Sequence, residues 1–172
     1  MDKMIELVVQ EPLRVNALDT VFQLELPQCY IAAGFIRNLV WVHLHQFEQS
    51  TPLNDVDVDE SDANQCLAYE AKLKQFIPQL NWQVRNQAIM HVRNNDAPYL
   101  SSLDAMGHWP EKETAVAIRQ TAKGQYECIS AFGIESLFAL QVTHNQLSPR
   151  EVFDERVETK GWLAKWPLLR VV

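Results

Sequence analysis

Three aspartates alternate with valines in residues 54–59, whose sequence is Asn-Asp-Val-Asp-Val-Asp. Residues two positions apart in a β-strand point to the same face, so Asp55, Asp57 and, where the strand extends, Asp59 share one side. Crowded carboxylates repel one another, and a divalent cation relieves that repulsion. Mg²⁺ prefers oxygen ligands at ~2.1 Å and keeps waters or substrate phosphates in its shell. The pattern therefore predicts that Asp55 and Asp57 bind Mg²⁺ or Mn²⁺; the alternative is a solvated acidic strand edge.

A glycine and two polar residues precede the aspartates, at the start of a predicted helix. Gly34 follows the apolar, β-capable run of residues 28–33, and Arg37 and Asn38 come one turn later. Because Gly34 has no side chain, the backbone can approach a phosphate closely there, and the helix N-terminus offers N–H groups to anions. We therefore expect a phosphate-binding turn. The simpler alternatives are a tight turn at Gly34 and a surface charge at Arg37.

Further basic residues are spaced to reach the same ligand. Arg85 lies near the end of a predicted strand, where it is expected to bind phosphate, base or acceptor or to belong to a polar network that supports the fold. Arg156 and Lys160 are four residues apart on the last long helix, so they share a helix face and predict a clamp for a triphosphate. The alternative is a solvated basic stripe that pairs with Glu155 or Glu158.

Helices and strands alternate in the surrounding sequence. Helical patterns occur in residues 12–24, 35–47, 66–77, 101–109 and 148–166, and residues 133–142 begin as a short helix that runs into a strand. Strand patterns occur in residues 28–33, 50–62 and 81–86, and in a hairpin formed by 114–121 and 125–132. This order predicts an α/β (α+β) fold with a mixed sheet and flanking helices. Gly161 predicts a bend in the last helix, and the spacing of Trp162 and Trp166 favours helix packing over base stacking.

The amino-acid composition, net charge and cysteine count exclude several classes of protein. The chain has 172 residues with 47% hydrophobic and 22% charged, which is typical of a globular protein and suits one domain over 1–172, with a helical segment 1–26 packed on it. The net charge of −7 argues against a long nucleic-acid partner. Three widely spaced cysteines form no zinc pair or even disulfide set, which favours the cytoplasm. No signal peptide or membrane span is predicted.

These features together resemble a known superfamily. The glycine turn, helix and Asp-x-Asp strand are similar to the DNA polymerase β-type nucleotidyltransferases, and residues 32–38 resemble the GGxxRD element of tRNA nucleotidyltransferases and bacterial poly(A) polymerases. Nearly everything after residue 26 resembles an uncharacterised bacterial nucleotidyltransferase-like family. The matching segments are GFIRN at 34–38, NDVDV at 54–58, WQVRNQAIMH at 82–91, PYLSSLDAM at 98–106, WPEKETAVAIR at 109–119 and RVETKGWLAKWP at 156–167.

The resemblance implies roles for individual residues. Asp55 and Asp57 would be catalytic and hold the metal ion, while Gly34 would cradle nucleotide phosphates. The other implied nucleotide-binding residues are Arg37, Asn38, Arg85, Arg156 and Lys160. The chain departs from the superfamily pattern in three places. Phe35 rather than a second small residue follows Gly34, and the stretch from Gly34 to Asp55 is longer than is usual in the superfamily. The superfamily usually supplies a third carboxylate from a later strand, as the base or as a metal partner for the acceptor hydroxyl. The strand predicted at 81–86 has no such acidic residue.

Two functions follow as hypotheses. The first is a Mg²⁺-dependent nucleotidyltransferase that moves a nucleoside monophosphate from an NTP to a small-molecule or protein acceptor. The second is a catalytically degenerate member of the same fold that binds a nucleotide or a protein partner without chemistry. The missing third carboxylate motivates the second hypothesis. Turnover and nucleotide binding distinguish the two.

Overall fold

A computed structural model describes residues 1–26, 29–50, 53, 56–60, 66–86, 90–94 and 96–172, with the backbone alone for 56–60 and 93. The helices in these ranges are α1 (Asp2–Val9), α2 (Pro12–Phe22), α3 (Gly34–Leu44), α4 (Cys66–Phe76), α5 (Met90–Asn94), α6 (Ser102–Met106), α7 (Glu135–Phe138), α8 (Arg150–Lys160) and α9 (Trp162–Lys165). The strands are β1 (Tyr30–Ala32), β2 (Val56–Glu60), β3 (Trp82–Asn86), β4 (Val116–Ala122), β5 (Gln125–Ser130), β6 (Gln141–Val142) and β7 (Arg170–Val171).

Five strands form a sheet in the order β3-β2-β1-β4-β5. The short central strand β1 is antiparallel to both β2 and β4. Strands β2 and β3 are parallel, which requires a crossover, and α4 lies in that connection. Strands β4 and β5 form an antiparallel hairpin whose turn contains Gly124 with φ 72, a conformation that glycine adopts without strain. Strands β6 and β7 pair in parallel in a second, two-stranded sheet.

The two faces of the large sheet are covered differently. One face contributes Ile31, Val84 and Ile118 to the main hydrophobic core, which also contains buried residues from α1, α2, α3 and α4. On the other face, Ala32 and Ala117 pair across β1 and β4 and belong to a smaller cluster around Met106. Because the side chains of Ala32 and Ala117 are small, they project little from this face of the sheet and leave room above it.

Tryptophans join the C-terminal helices to α3. The ring of Trp41 lies 5.8 Å from the ring of Trp162 and 5.0 Å from that of Trp166, both in edge-to-face geometry. All three rings are buried. The predicted packing role of Trp162 and Trp166 is therefore confirmed.

The order of the predicted elements is confirmed, with differences at their ends. The long C-terminal helix is divided rather than bent, because Gly161 adopts a left-handed conformation with φ 61 between α8 and α9. Helix α1 lies within the helical segment predicted over 1–26, whereas helix α5 and strand β7 were not predicted. Strand β7 has only two residues and depends on pairing with β6, so no local pattern marks it. Within the described ranges, no helix combines the length and apolar character that a bilayer span requires.

Candidate functional site

A cavity of about 480 Å³ lies where β1 passes into α3. Its walls include Ala33 at this turn, Arg85 near the end of β3, several described residues between Met90 and Pro110, the segment Leu147–Pro149, and Val152 and Arg156 of α8. This volume is in the range of small-molecule binding sites. The described lining includes two of the predicted nucleotide-binding residues, Arg85 and Arg156.

The turn that opens α3 has a strained backbone. Ala33 has φ 56 and ψ −122, a region that residues with a Cβ rarely occupy. The Ala33 N–H donates to the carbonyl of Val116 at 2.9 Å, and the Ala33 carbonyl accepts from the N–H of Arg37 at 3.0 Å. Hydrogen bonds on both sides thus hold the turn in place. The small residue beside Gly34 is Ala33, which precedes it, while Phe35 follows it.

Gly34 is the first residue of α3, and its lack of a side chain leaves the start of the helix open. A Cβ added there would lie 3.3 Å from Asn38 Nδ2 and 3.5 Å from Arg37 Nη2. These atoms are the ends of side chains that can adjust, so the fold itself does not demand glycine. What glycine provides is access to the first N–H groups of the helix. The predicted phosphate-binding role of Gly34 stays a prediction.

Arg37 is buried, with 6% of its surface exposed. Its Nη1 donates to Thr114 Oγ1 at 2.6 Å, and its Nη2 donates to Asn38 Oδ1 at 2.9 Å. Its guanidinium lies 4.8 Å from the ring of Trp41 and 4.4 Å from that of Trp162. The alternative of a surface charge is therefore wrong. These contacts connect α3 with Thr114 and α9, while the roles of Arg37 and Asn38 in nucleotide binding stay predictions.

The predicted metal ligands lie in and beside β2. Asp55 is outside the described residues, and for Asp57 the structure gives the backbone. The Cα of Asp57 pairs with Ala32 on one side and with Gln83 on the other. The exposed side chain of Arg85 donates to Gln83 Oε1 at 2.6 Å and also lines the cavity. The backbone of Asp57 thus runs between two strands that lead to the cavity.

Arg156 reaches the cavity, whereas Lys160 does not belong to its described lining. The Nε and Nη2 atoms of Arg156 donate to the two carboxylate oxygens of Glu111 at 2.5 and 3.2 Å. Glu111 is fully buried, so this bidentate pair fixes the guanidinium plane. The pairing partner is thus Glu111, and not Glu155 or Glu158 as in the alternative of a solvated basic stripe. Lys160 is exposed at the end of α8, and its predicted role remains untested.

Comparisons with known proteins now identify the family. A family model described as nucleotidyltransferase matches residues 19–171. The chain belongs to this nucleotidyltransferase family. It also aligns with a solved NMR structure described as revealing a CCA-adding enzyme head domain, with TM-score 0.87 and 28% identity over 100% of this chain and 95% of the other. No curated protein matches the chain. The predicted nucleotidyltransferase-like fold is therefore confirmed.

Sequence reasoning missed a titratable cluster in the wall of the cavity. Asp96, Tyr99 and His108 all line the cavity. The Tyr99 hydroxyl donates a short hydrogen bond to Asp96 Oδ2, and His108 Nδ1 lies 3.2 Å from the same oxygen. Burial raises the pKa of Tyr99, and so does its hydrogen bond to Asp96. The sequence contained one signal, because the family-like segments 98–106 and 109–119 flank His108.

Proposed function

We propose that the protein transfers a nucleoside monophosphate from an NTP to an acceptor hydroxyl or amine, with Mg²⁺ or Mn²⁺ as cofactor. One observation carries the proposal: the start of α3 at Ala33, Arg85 and Arg156 border a single cavity. Two guanidinium groups and a helix N-terminus suit the charge of a triphosphate. Membership of a nucleotidyltransferase family and likeness to a CCA-adding enzyme head domain support the same chemistry.

Asp55 and Asp57 would hold the metal ion. Carboxylate oxygens are the ligands that Mg²⁺ prefers, and a site with two of them leaves positions for water and phosphate oxygens. The register of β2 supports this assignment, since it sets Asp57 beside Ala32, the residue before the turn that opens α3. When bound, the ion would supply neutralisation of the phosphate charge.

The protein's own contribution would be orientation and charge complementarity. The buried carboxylate of Glu111 holds the Arg156 guanidinium before a ligand arrives, so little reorganisation is needed on binding. Arg85, which also lines the cavity, would contact phosphate, and the backbone at Gly34 would approach it from the start of α3. The acceptor oxygen or nitrogen would then attack the α-phosphorus in line, and pyrophosphate would leave.

The acceptor in this proposal is a small molecule or a protein. The net charge of −7 opposes the diffuse phosphate contacts on which binding to a long nucleic acid depends. The cytoplasm is the proposed location, since none of the three cysteines, all described, forms a disulfide.

A degenerate, nucleotide-binding member of the fold is the second candidate. Strand β3 favours it, because Trp82–Asn86 contains no carboxylate to serve as a third acidic residue. This candidate predicts metal-dependent NTP binding without pyrophosphate release to any acceptor.

Thermal unfolding with each of the four NTPs, with and without Mg²⁺ or Mn²⁺, tests the binding step. A ligand at 100 times its Kd stabilises the folded state by about 2.7 kcal/mol, which is readily measured. We expect a metal-dependent increase in Tm with at least one NTP. The absence of any increase with all four NTPs would reject both candidates and direct the search to protein partners.

Asp57→Asn tests the metal assignment. We expect it to abolish turnover and the metal-dependent increase in Tm while the protein without ligand unfolds as wild type, because the change removes a charge and keeps the shape. Asp154→Asn is the matched control, since Asp154 is exposed on α8 and pairs with Arg150 away from the cavity. Full turnover by Asp57→Asn would contradict the assignment.

A further inference from the structure

Three titratable side chains form one contact network in the cavity wall. Asp96 lies at its centre, since its Oδ2 accepts from the Tyr99 hydroxyl and lies 3.2 Å from His108 Nδ1. The rings of Tyr99 and His108 are 4.8 Å apart, and Asn94 Nδ2 donates to Tyr99 Oη at 3.0 Å. His108 remains partly accessible, with 27% of its side chain exposed. The network is thus both ordered and open to a ligand.

The position of Asp96 determines which nitrogen of His108 can accept a proton. A carboxylate beside Nδ1 favours the tautomer that carries its hydrogen on Nδ1, so Nε2 keeps its lone pair. Transfer to a hydroxyl requires removal of the hydroxyl proton as the new O–P bond forms. Among the described residues of the cavity, His108 is the histidine available for that step.

We propose that His108 is the general base of the transfer reaction, an inference that rests on the proposed function. Its Nε2 takes the proton of the acceptor hydroxyl while the acceptor oxygen bonds to the α-phosphorus. The bond from that phosphorus to the bridging oxygen breaks, and its electron pair leaves with pyrophosphate. The proton on His108 returns to solvent after product release. This assignment supplies a base although β3 carries no carboxylate.

Asp96 and Tyr99 are positioning residues in this scheme. Asp96 holds the imidazole through Nδ1, and Tyr99 holds Asp96. The raised pKa of Tyr99, caused first by burial and then by its bond to Asp96, keeps its hydroxyl protonated and donating at neutral pH. Asp96→Asn is therefore expected to lower the rate less than loss of His108, and to alter the tautomer of the imidazole.

Pyrophosphate release from Mg²⁺–NTP, with glycerol as the acceptor hydroxyl, tests the role of His108. We expect His108→Gln to lower kcat by about 10²- to 10⁴-fold with NTP affinity unchanged. Other groups that share the cavity are Asp96, Tyr99, Arg85 and Arg156.

Two controls separate base catalysis from a structural role. His43→Gln changes an exposed histidine of α3 outside the described cavity lining and should leave kcat unchanged. His108→Gly should regain rate when imidazole is added, because free imidazole can accept the proton. A His108→Gln variant with kcat within twofold of wild type, or His108→Gly without rescue by imidazole, would overturn the proposal.

Nuclear magnetic resonance of the imidazole nitrogens tests the inference without turnover. The expected result is an Nδ1–H tautomer of His108 in wild type that is lost in Asp96→Asn; an Nε2–H tautomer in wild type would overturn it. If wild-type protein showed no metal-dependent NTP binding, the proposed function itself would be rejected. NTP binding without pyrophosphate release would overturn the general base and leave the degenerate candidate standing.

Discussion

Arg14 is 1% exposed, and its three guanidinium nitrogens have no hydrogen-bond partner among the described residues. The guanidinium lies 5.1 Å from the ring of Phe35. Burial lowers the pKa of Arg14 to about 10, an effect that nearby Glu11 partly opposes. Arg37 is also buried, but it bonds to Thr114 and Asn38. Two buried arginines therefore differ in energetic effect, because Arg37 has hydrogen-bond acceptors for its guanidinium and Arg14 has none among the described residues.

Replacing Arg14 by an apolar side chain of similar length should stabilise the protein. We expect Arg14→Met to raise the free energy of unfolding by about 1–2 kcal/mol at neutral pH, because the variant no longer buries an unpartnered charge. Urea unfolding measures the change. Arg150→Met is the matched control: Arg150 is exposed in a surface pair with Asp154, so its loss should change stability by less than about 0.5 kcal/mol. A less stable Arg14→Met would show that the guanidinium stabilises the core.

The turn between β1 and α3 is the element on which the site depends. It brings the first turn of α3 to the cavity and needs a residue with positive φ at position 33. Alanine there carries a strain of about 1–3 kcal/mol, which the hydrogen bond to Val116 and the first turn of α3 offset. The element is thus held by its surroundings rather than by its own sequence.

Ala33→Gly should relieve that strain. Glycine adopts positive φ freely, although it loses more entropy on folding, so we expect a net gain of about 1 kcal/mol and an increase in Tm of about 2–4 °C. Ala32→Gly is the matched control in the adjacent strand, where it should lower stability by about 1 kcal/mol. Differential scanning calorimetry compares the two variants. A decrease in Tm for Ala33→Gly as large as that for Ala32→Gly would rule out strain at this turn.

On the scale of the whole molecule, the sheet buries a cysteine thiol on one face and a tyrosine hydroxyl on the other, and both groups can lose a proton at high pH. Burial raises the pKa of Cys128 to about 12 and is the first cause of the rise in the pKa of Tyr30 to about 12, with the hydrogen bond to Glu127 second. Both groups are neutral when protonated, so folding favours their protonated forms. In the unfolded chain they release protons at lower pH. Stability is therefore unaffected below pH 9 and decreases as pH rises from about 9 towards 12.

Chemical unfolding between pH 8 and pH 11 measures this decrease. Cys128→Ala should make the decline shallower, because one of the two groups that favour the protonated folded state is gone. An unchanged slope in Cys128→Ala would show that this thiol does not contribute.

Local patterns predicted most of the elements but not the contacts of the site. Apolar spacing and turn residues located β1, α3, α4, β3 and the β4–β5 hairpin within a few positions. The alternative interpretation of Arg156 paired it with its helix neighbours Glu155 or Glu158, whereas its partner Glu111 is 45 positions away. The spacing of residues in a helix shows which charged side chains are close in sequence. It does not show which carboxylate from a distant part of the chain the fold brings to the same place.

The sequence alone determined the order of helices and strands, the mixed α/β class and the resemblance to nucleotidyltransferases, because each rests on residue types and short-range spacing. The tertiary structure decided that Arg37 and Arg14 are buried, that Arg156 enters the cavity without Lys160, and that Asp96 and His108 meet there. These outcomes depend on which strands pair and how helices pack on them. Strand pairing and helix packing between distant segments depend on how the whole chain buries its apolar surface, and no single segment contains that information.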